Sequence, residues 1–348
     1  MFLIDTNRQG KVVTDAIVNQ SIDNYLVNDL KLPGHGLMMY VNQPAVIVGI
    51  NQSVMAEVDF HYLAANGVQL VRRTSGGGAV YHDERNLIFE HIVNGDPQDG
   101  SKFGDYSVFA QPILRALAEM GVAHPEISGK SNLVVDGKKF SGMTMFKNGD
   151  GYAAGGTIMY DLNVDAAHQA LLPSSQRQHR GVASNRVPIT NLRQYLAPEY
   201  RNLDIQAFKE ALLCHIFQVE RLDQIETYHL NDRDWDIIDE RLADKYRTDA
   251  WNFGANPGFR EYRAVLLPTG QLHLNFTVHQ GALRNVALFG TVATADQLNA
   301  VADRLVGVSL ETAALTAVLS DPAVLAVLGN GAMTPIVTAL TTEAHREG

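Results

Sequence analysis

The sequence predicts an α+β protein, with a large mixed-sheet domain over residues 1–248 and a smaller α+β domain over residues 249–348. Three observations predict it. At 348 residues the chain exceeds what one hydrophobic core usually organises, so one large and one smaller unit is the natural expectation. Strand-length apolar runs, a helical segment and an antiparallel meander fill residues 45–160, a mixture of α and β patterns. A composition shift at Trp-Asn-Phe-Gly-Ala-Asn-Pro-Gly, residues 251–258, then precedes a second, shorter set of strand and helix patterns.

Taken in order, Ala45 to Gly49 (AVIVG) and Val68 to Arg73 (VQLVRR) read as strands leading into turns, and Asn86 to Val93 (NLIFEHIV) as a third. From Tyr106 to Met120 the residues Phe109, Ile113, Leu117 and Met120 recur at helical spacing, with Gly121 placed to end the helix. NLVV and KKFSGM flank Asp136-Gly137, a dipeptide that tolerates the positive φ values of a two-residue hairpin turn, so Lys138 and Lys139 begin a return strand. Gly149-Asp150-Gly151 marks the next turn, and Tyr152 to Tyr160 completes the meander. Residues 173–191 are polar, aperiodic and rich in turn formers, which makes a long loop carrying Arg177, Arg180 and Arg186. Leu203 to Val219 is helical, with Phe208, Leu212, Ile216 and Val219 on one face. In the smaller domain Leu272, Leu274, Phe276 and Val278 alternate as a half-buried strand, and Leu298, Val301 and Leu305 follow a Thr294 cap at helical spacing.

Composition narrows the classes of function. Hydrophobic residues make up 46% and charged residues 19%, a balance that excludes a disordered chain. No apolar run approaches the roughly 18 to 20 residues that span a bilayer, and the first residues lack a basic n-region and h-region. A single cysteine, Cys214, excludes an intrachain disulfide. These features together predict a cytoplasmic protein with no membrane partner. The net charge is −10 and no basic stripe interleaves with aromatics, so no nucleic-acid partner is expected.

The sharpest chemical signal is RRTSGGGAVYHD, residues 72–83, a glycine-rich turn between strands preceded by two arginines. Adjacent glycines let backbone N–H groups crowd an anion, and arginine binds phosphate or carboxylate in bidentate fashion. The alternative is a flexible hairpin with snorkelling arginines, and the glycines alone do not decide between the two. The segment is neither a P-loop nor a dinucleotide fingerprint, because Gly-Lys-Ser/Thr is missing and a strand follows. Lys139, carried by the hairpin, can stabilise charge on a phosphate and an acyl carbonyl; its alternative is one more surface charge, the role expected of Lys138. Cys214 reads as a buried structural cysteine, since His215 beside it in a helix faces elsewhere and cannot serve as its base. The twelve histidines show no metal-ligand spacing.

Together RRTSGGGAVYHD, NLVVDGKKFSG, GGT and GVASNRVPITNL, in that order, resemble the lipoate-protein ligase A family of the biotin/lipoate protein ligase superfamily. AVIVGINQSVMAEV, residues 45–58, and WNFGANPGF, residues 251–259, are also similar to segments of that family. The resemblance implies a biotin/lipoate ligase-type catalytic domain with a small accessory domain. It implies that ATP and Mg²⁺ are used to form lipoyl-AMP, and that the lipoyl group passes to a lysine. The acceptors it implies are lipoyl domains of 2-oxoacid dehydrogenase E2 subunits or the glycine-cleavage H protein. By motif position it implies nucleotide contacts from Arg73, Gly76, Gly77, Gly78, Ala79, Val80, Tyr81, Lys139, Thr157 and Arg186. Lipoate contacts fall on Arg73, Ser75, Gly76, Lys139 and Gly155, with Lys139 the catalytic residue and the loop of Arg177, Arg180 and Arg186 closing over the adenylate.

Three departures stand out. Asn132 occupies the expected acidic position near the metal, Gly155 stands where the family often carries histidine, and Ser53 replaces the usual asparagine. The motifs therefore name no acidic metal ligand. The alternative reading is a non-catalytic or ATP-independent lipoyl or octanoyl carrier-binding or transferase paralogue. Biotin ligation is disfavoured because the Gly-Arg-Gly-Arg loop of the biotin enzymes is absent.

Overall fold

A computed structural model describes residues 1–95, 102–172 and 187–342. Fourteen strands are seen among them, in three sheets. The first ten are β1 (Phe2–Asp5), β2 (Gly34–Val41), β3 (Ala45–Val48), β4 (Gln69–Arg72), β5 (Val80–His82), β6 (Asn86–Asn94), β7 (Glu126–Ser128), β8 (Asn132–Val135), β9 (Lys138–Asn148) and β10 (Gly151–Met159). The remaining four are β11 (Thr227–His229), β12 (Glu261–Leu267), β13 (Gly270–His279) and β14 (Ala282–Gly290).

The largest sheet has eight strands in the order β11-β1-β2-β6-β10-β9-β8-β7. β1 pairs in parallel with β2 and β11, while β2, β6, β10, β9, β8 and β7 pair antiparallel. The expected meander is β8-β9-β10. Asp136 and Gly137 adopt φ of 50° and 70°, the left-handed values that a two-residue turn demands and that glycine meets without a Cβ clash. One face of the sheet packs on the helices Tyr106–Glu119 and Ile205–Phe217 through Phe109, Ile113, Leu117, Phe208, Leu212 and Ile216, the apolar positions expected from their spacing.

The opposite face is covered by the helices Ala16–Tyr25 and Asp232–Arg241 and by a second sheet, β4-β3-β5. Here β3 is central, parallel to β4 and antiparallel to β5. The glycine-rich segment thus crosses between two strands that flank a third and never pair with each other, which removes the hairpin alternative.

The third sheet, β12-β13-β14, forms its own core with four helices between Ala295 and Thr341. Thr294 caps the first of them, its hydroxyl accepting from Gln297 N–H. β13 departs from the half-buried expectation. Leu272, Leu274 and Phe276 are buried, but so are His273 and Asn275 on the other face, which meets the junction: Asn275 Nδ2 donates to Gly254 O at 2.9 Å. Val278, expected on the buried side, is exposed at the strand's end. Among the described residues no single helix is long and apolar enough to cross a membrane.

Candidate active site

A cavity of about 600 Å³ opens between the inner face of the large sheet and the β4-β3-β5 sheet. The glycine-rich segment forms one wall through Gly77, Gly78, Ala79, Val80 and Tyr81. β6, β9 and β10 form the floor, and Leu162, Ala167 and Leu171 add an apolar lobe.

Lys139 enters from β9. A bulge near Leu133/Val134 in the pairing of β8 with β9 breaks the alternation, so Lys139 faces the cavity while Phe140 is fully buried in the core beyond the sheet. The Lys139 backbone is held on its outer edge. Its N–H donates to Pro188 O at 2.9 Å and its carbonyl accepts from Thr190 N–H at 2.8 Å. The side chain lies over Gly142, where a Cβ would come within 2.6 Å of Nζ. A side chain at residue 142 would push the ammonium aside. No described residue forms an ion pair with it, and burial pulls its pKa below the ordinary lysine value. A partly desolvated, unpaired cation in a cleft is a costly feature, of the sort kept where an anion binds. Lys138 points to solvent, as expected.

Arg73 also lines the cavity, yet most of its N–H groups are committed to the loop it introduces. Nε donates to Ser75 Oγ at 3.0 Å, Nη1 to Ile47 O at 3.1 Å, and Nη2 to Gly76 O at 2.6 Å and Gly78 O at 2.9 Å. Its first role is therefore to shape the glycine segment, leaving its charge at the wall. Burial lowers its pKa to about 10. Arg72 turns the opposite way and is fully buried. Nε donates to Trp251 O at 3.1 Å, and Nη1 to Gly49 O at 3.1 Å and Gln52 O at 2.8 Å, tying the junction to β4.

The sequence profile of the lipoyl protein ligase A/B catalytic domain matches residues 15–217, and that of the bacterial lipoate protein ligase C-terminus matches residues 256–340. Lipoate-protein ligase LplJ of Bacillus subtilis (strain 168) is 32% identical over 308 residues, covering 88% of this chain and 91% of that protein. The chain belongs to the lipoyl protein ligase A/B family. Two solved structures share the fold. One is a putative lipoate protein ligase from T. acidophilum with bound lipoic acid, at TM-score 0.56 and 19% identity over 69% of this chain and 95% of that one. The other is a lipoate-protein ligase A bound with ATP, at TM-score 0.57 and 19% identity over 73% of this chain and 98% of that one.

In this lipoyl ligase-family chain the cavity gathers Arg73, Gly77, Gly78, Ala79, Val80, Tyr81, Lys139 and Thr157 from the expected set. Ser75, Gly76 and Gly155 are not part of its lining. Ser75 is buried and bridges Arg73 to Thr144 Oγ1 at 3.1 Å, and the space above Gly155 is filled by Glu90. Arg177, Arg180 and Arg186 lie outside the described residues. Cys214 is half-buried on the helix Ile205–Phe217 and does not line the cavity; burial raises its thiol pKa, so it is no ready nucleophile. His215 is engaged with Glu119 and Tyr200.

Several lining residues escape the sequence reading: Gln20, Tyr40, His82, Asn86 and Glu90. His82 Nε2 and both side-chain polar atoms of Asn86 are buried without a protein partner. Buried polar atoms of this kind pair with a ligand or ordered water. His82 and Asn86 sit inside VYHDERNLIF, where period-2 alternation from Tyr81 is the only available signal.

No group of three His, Cys, Asp or Glu side chains capable of holding a metal occurs among the described residues. Asn132, lining the cavity near Gly142, offers one amide oxygen. Such a donor set suits a hard cation that arrives already bound to phosphates, since Mg²⁺ takes few protein ligands at nucleotide sites.

Proposed function

We propose that this chain is a lipoate–protein ligase that activates lipoate with ATP to lipoyl-AMP and transfers the lipoyl group to a lysine of a lipoyl domain or glycine-cleavage H protein. The observation that carries the reading is the unpaired Lys139 ammonium over Gly142, facing the glycine segment across a cavity with a separate apolar lobe. Residues 1–248 do the chemistry in this reading, and residues 249–348 form the accessory domain.

In the first stage a lipoate carboxylate oxygen bonds to the α-phosphorus of ATP and the bond to pyrophosphate breaks. Lys139 holds the carboxylate near the α-phosphate, offsets their repulsion and stabilises the charge that builds there. The backbone of Gly77 and Gly78 offers N–H groups to the phosphate in this reading, on a loop whose shape Arg73 holds. Mg²⁺ arriving with ATP would neutralise phosphate charge, and Asn132 would offer it an amide oxygen from the cavity lining. In the second stage the neutral acceptor lysine attacks the acyl carbonyl, the bond to AMP breaks, and Lys139 stabilises the developing oxyanion. Arg73 and Lys139 serve both reactants in this reading, and Thr157 serves the nucleotide.

Mass spectrometry of a lipoyl domain incubated with the chain, lipoate and Mg²⁺, with and without ATP, tests this. A lipoyl mass shift that requires ATP supports the ligase; modification of equal extent without ATP, or none on either acceptor, rejects it.

A further inference from the structure

The floor of the cavity carries an acid for which neither stage above has a use. β6 places Glu90 opposite Met38 of β2 and Gly155 of β10, and Gly155 lies opposite Thr144 of β9. A Cβ added at Gly155 would overlap the Glu90 carboxyl, so the acid lies across the position a side chain there would fill. Its surroundings are Asp23, Tyr40 and Arg73. Arg73 directs its N–H groups to its own loop, and Tyr40 is hydrogen-bonded with Gln20. No described residue hydrogen-bonds the Glu90 carboxyl, which faces the cavity.

Position sets what this acid meets. The Lys139 ammonium lies over Gly142 and the Glu90 carboxyl over Gly155. Thr144 is two residues along β9 from Gly142 and one strand across from Gly155. Strand geometry makes that offset roughly 8 Å, from about 3.4 Å per residue along a strand and about 4.8 Å between strands. An extended chain advances about 1.2 Å per bond, so a carboxylate at Lys139 puts the atom six or seven bonds away beside Glu90.

We propose that Glu90, seated over Gly155, selects the acyl group: it favours a medium-chain acid with a hydrogen-bond-accepting heteroatom six or seven bonds from its carboxyl carbon over the plain alkyl acid of the same length. Burial, and then the neighbouring Asp23, push the Glu90 pKa well above the usual carboxylate value against the opposing charge of Arg73, which favours the neutral acid whose O–H donates into the cavity. An alkyl terminus leaves that donor unpaired, whereas a sulfur atom at that depth accepts from it. The identification of the favoured acid as lipoate, and of the rejected one as octanoate, rests on the ligase reading; the selectivity itself does not.

The test is equilibrium binding of lipoate and of octanoate to the full chain, alongside ATP-dependent acylation of a lipoyl domain with the two acids in competition. The parent should bind lipoate about tenfold tighter. Glu90→Gln keeps a donor and an acceptor and should retain the preference. Glu90→Leu, and independently Glu90→Ala, should bring the ratio within about twofold of unity. A parent without preference, or a preference that survives in either Glu90→Leu or Glu90→Ala, overturns the proposal. If binding follows the expected pattern but no acceptor is acylated, the selectivity stands and the ligase reading falls.

Discussion

Replacing Lys139 with alanine should cripple acyl transfer while leaving the fold intact. The backbone bonds of residue 139 to Pro188 and Thr190 do not involve the side chain, and the ammonium has no ion-pair partner among the described residues. Its removal returns the desolvation cost of a half-buried cation, so stability should move by less than about 0.5 kcal/mol. The catalytic loss is larger. At about 4 Å a unit charge facing one phosphate oxygen is worth up to about 4 kcal/mol at an effective dielectric constant near 20. Removing a single donor aimed at developing charge typically costs about 2.7 to 4 kcal/mol. A loss near 3 kcal/mol is about a hundredfold in kcat. Steady-state lipoylation of a lipoyl domain, with a melting curve for each protein, reads both numbers. A Lys139→Ala protein that melts like the parent and turns over within about fivefold of it would refute the placement of this lysine at the reacting atoms.

Three further outcomes follow from the same geometry. Arg72→Leu should cost about 3 to 5 kcal/mol in urea unfolding, because the carbonyls of Gly49, Gln52 and Trp251 lose their donor in a buried site; a loss under 1 kcal/mol contradicts the role given to this arginine. His273 is stacked on Phe253 at 4.3 Å and its pKa is lowered to about 4 by burial, so the folded state favours the neutral ring. The unfolded chain binds that proton below about pH 6.5, and the stability this group contributes is therefore lost as pH falls from there toward 4. The stability difference between His273→Phe and the parent should consequently shift toward the variant by about 2 kcal/mol between pH 7.5 and pH 5; a pH-independent difference counts against a neutral, buried His273. Asn132→Asp should lower the Mg²⁺ concentration that gives half-maximal lipoylation, and an unchanged Mg²⁺ titration removes residue 132 from the metal's surroundings.

How far the sequence is readable depends on where each element's constraints come from. The meander was legible because its turns are local: Asp136-Gly137 and Gly149 take left-handed φ values that their own chemistry favours. The helices Tyr106–Glu119 and Ile205–Phe217 were legible because each buries a single apolar stripe. The helix Ala16–Tyr25 was not. Nine of its ten residues are buried, among them Asn19, Gln20, Ser21, Asp23 and Asn24, so the polar side that would reveal its period faces the interior. The same limit hid the floor of the site. Glu90 sits in an apolar run and becomes meaningful only when β10 brings Gly155 beside it, a pairing across 65 residues of sequence that no local pattern specifies. The motif residues gathered as expected at Arg73, Gly77–Tyr81 and Lys139, but Arg73's engagement with carbonyls of its own loop is a tertiary fact. The second buried face of β13 is another, since the partner that covers it lies at the junction.

The most direct test of the account is exchange of labelled pyrophosphate into ATP in the presence of lipoate and Mg²⁺, with no acceptor protein. Adenylate formation predicts exchange that needs lipoate and falls about a hundredfold in Lys139→Ala. Lipoylation of an acceptor by a preparation showing no such exchange would contradict it.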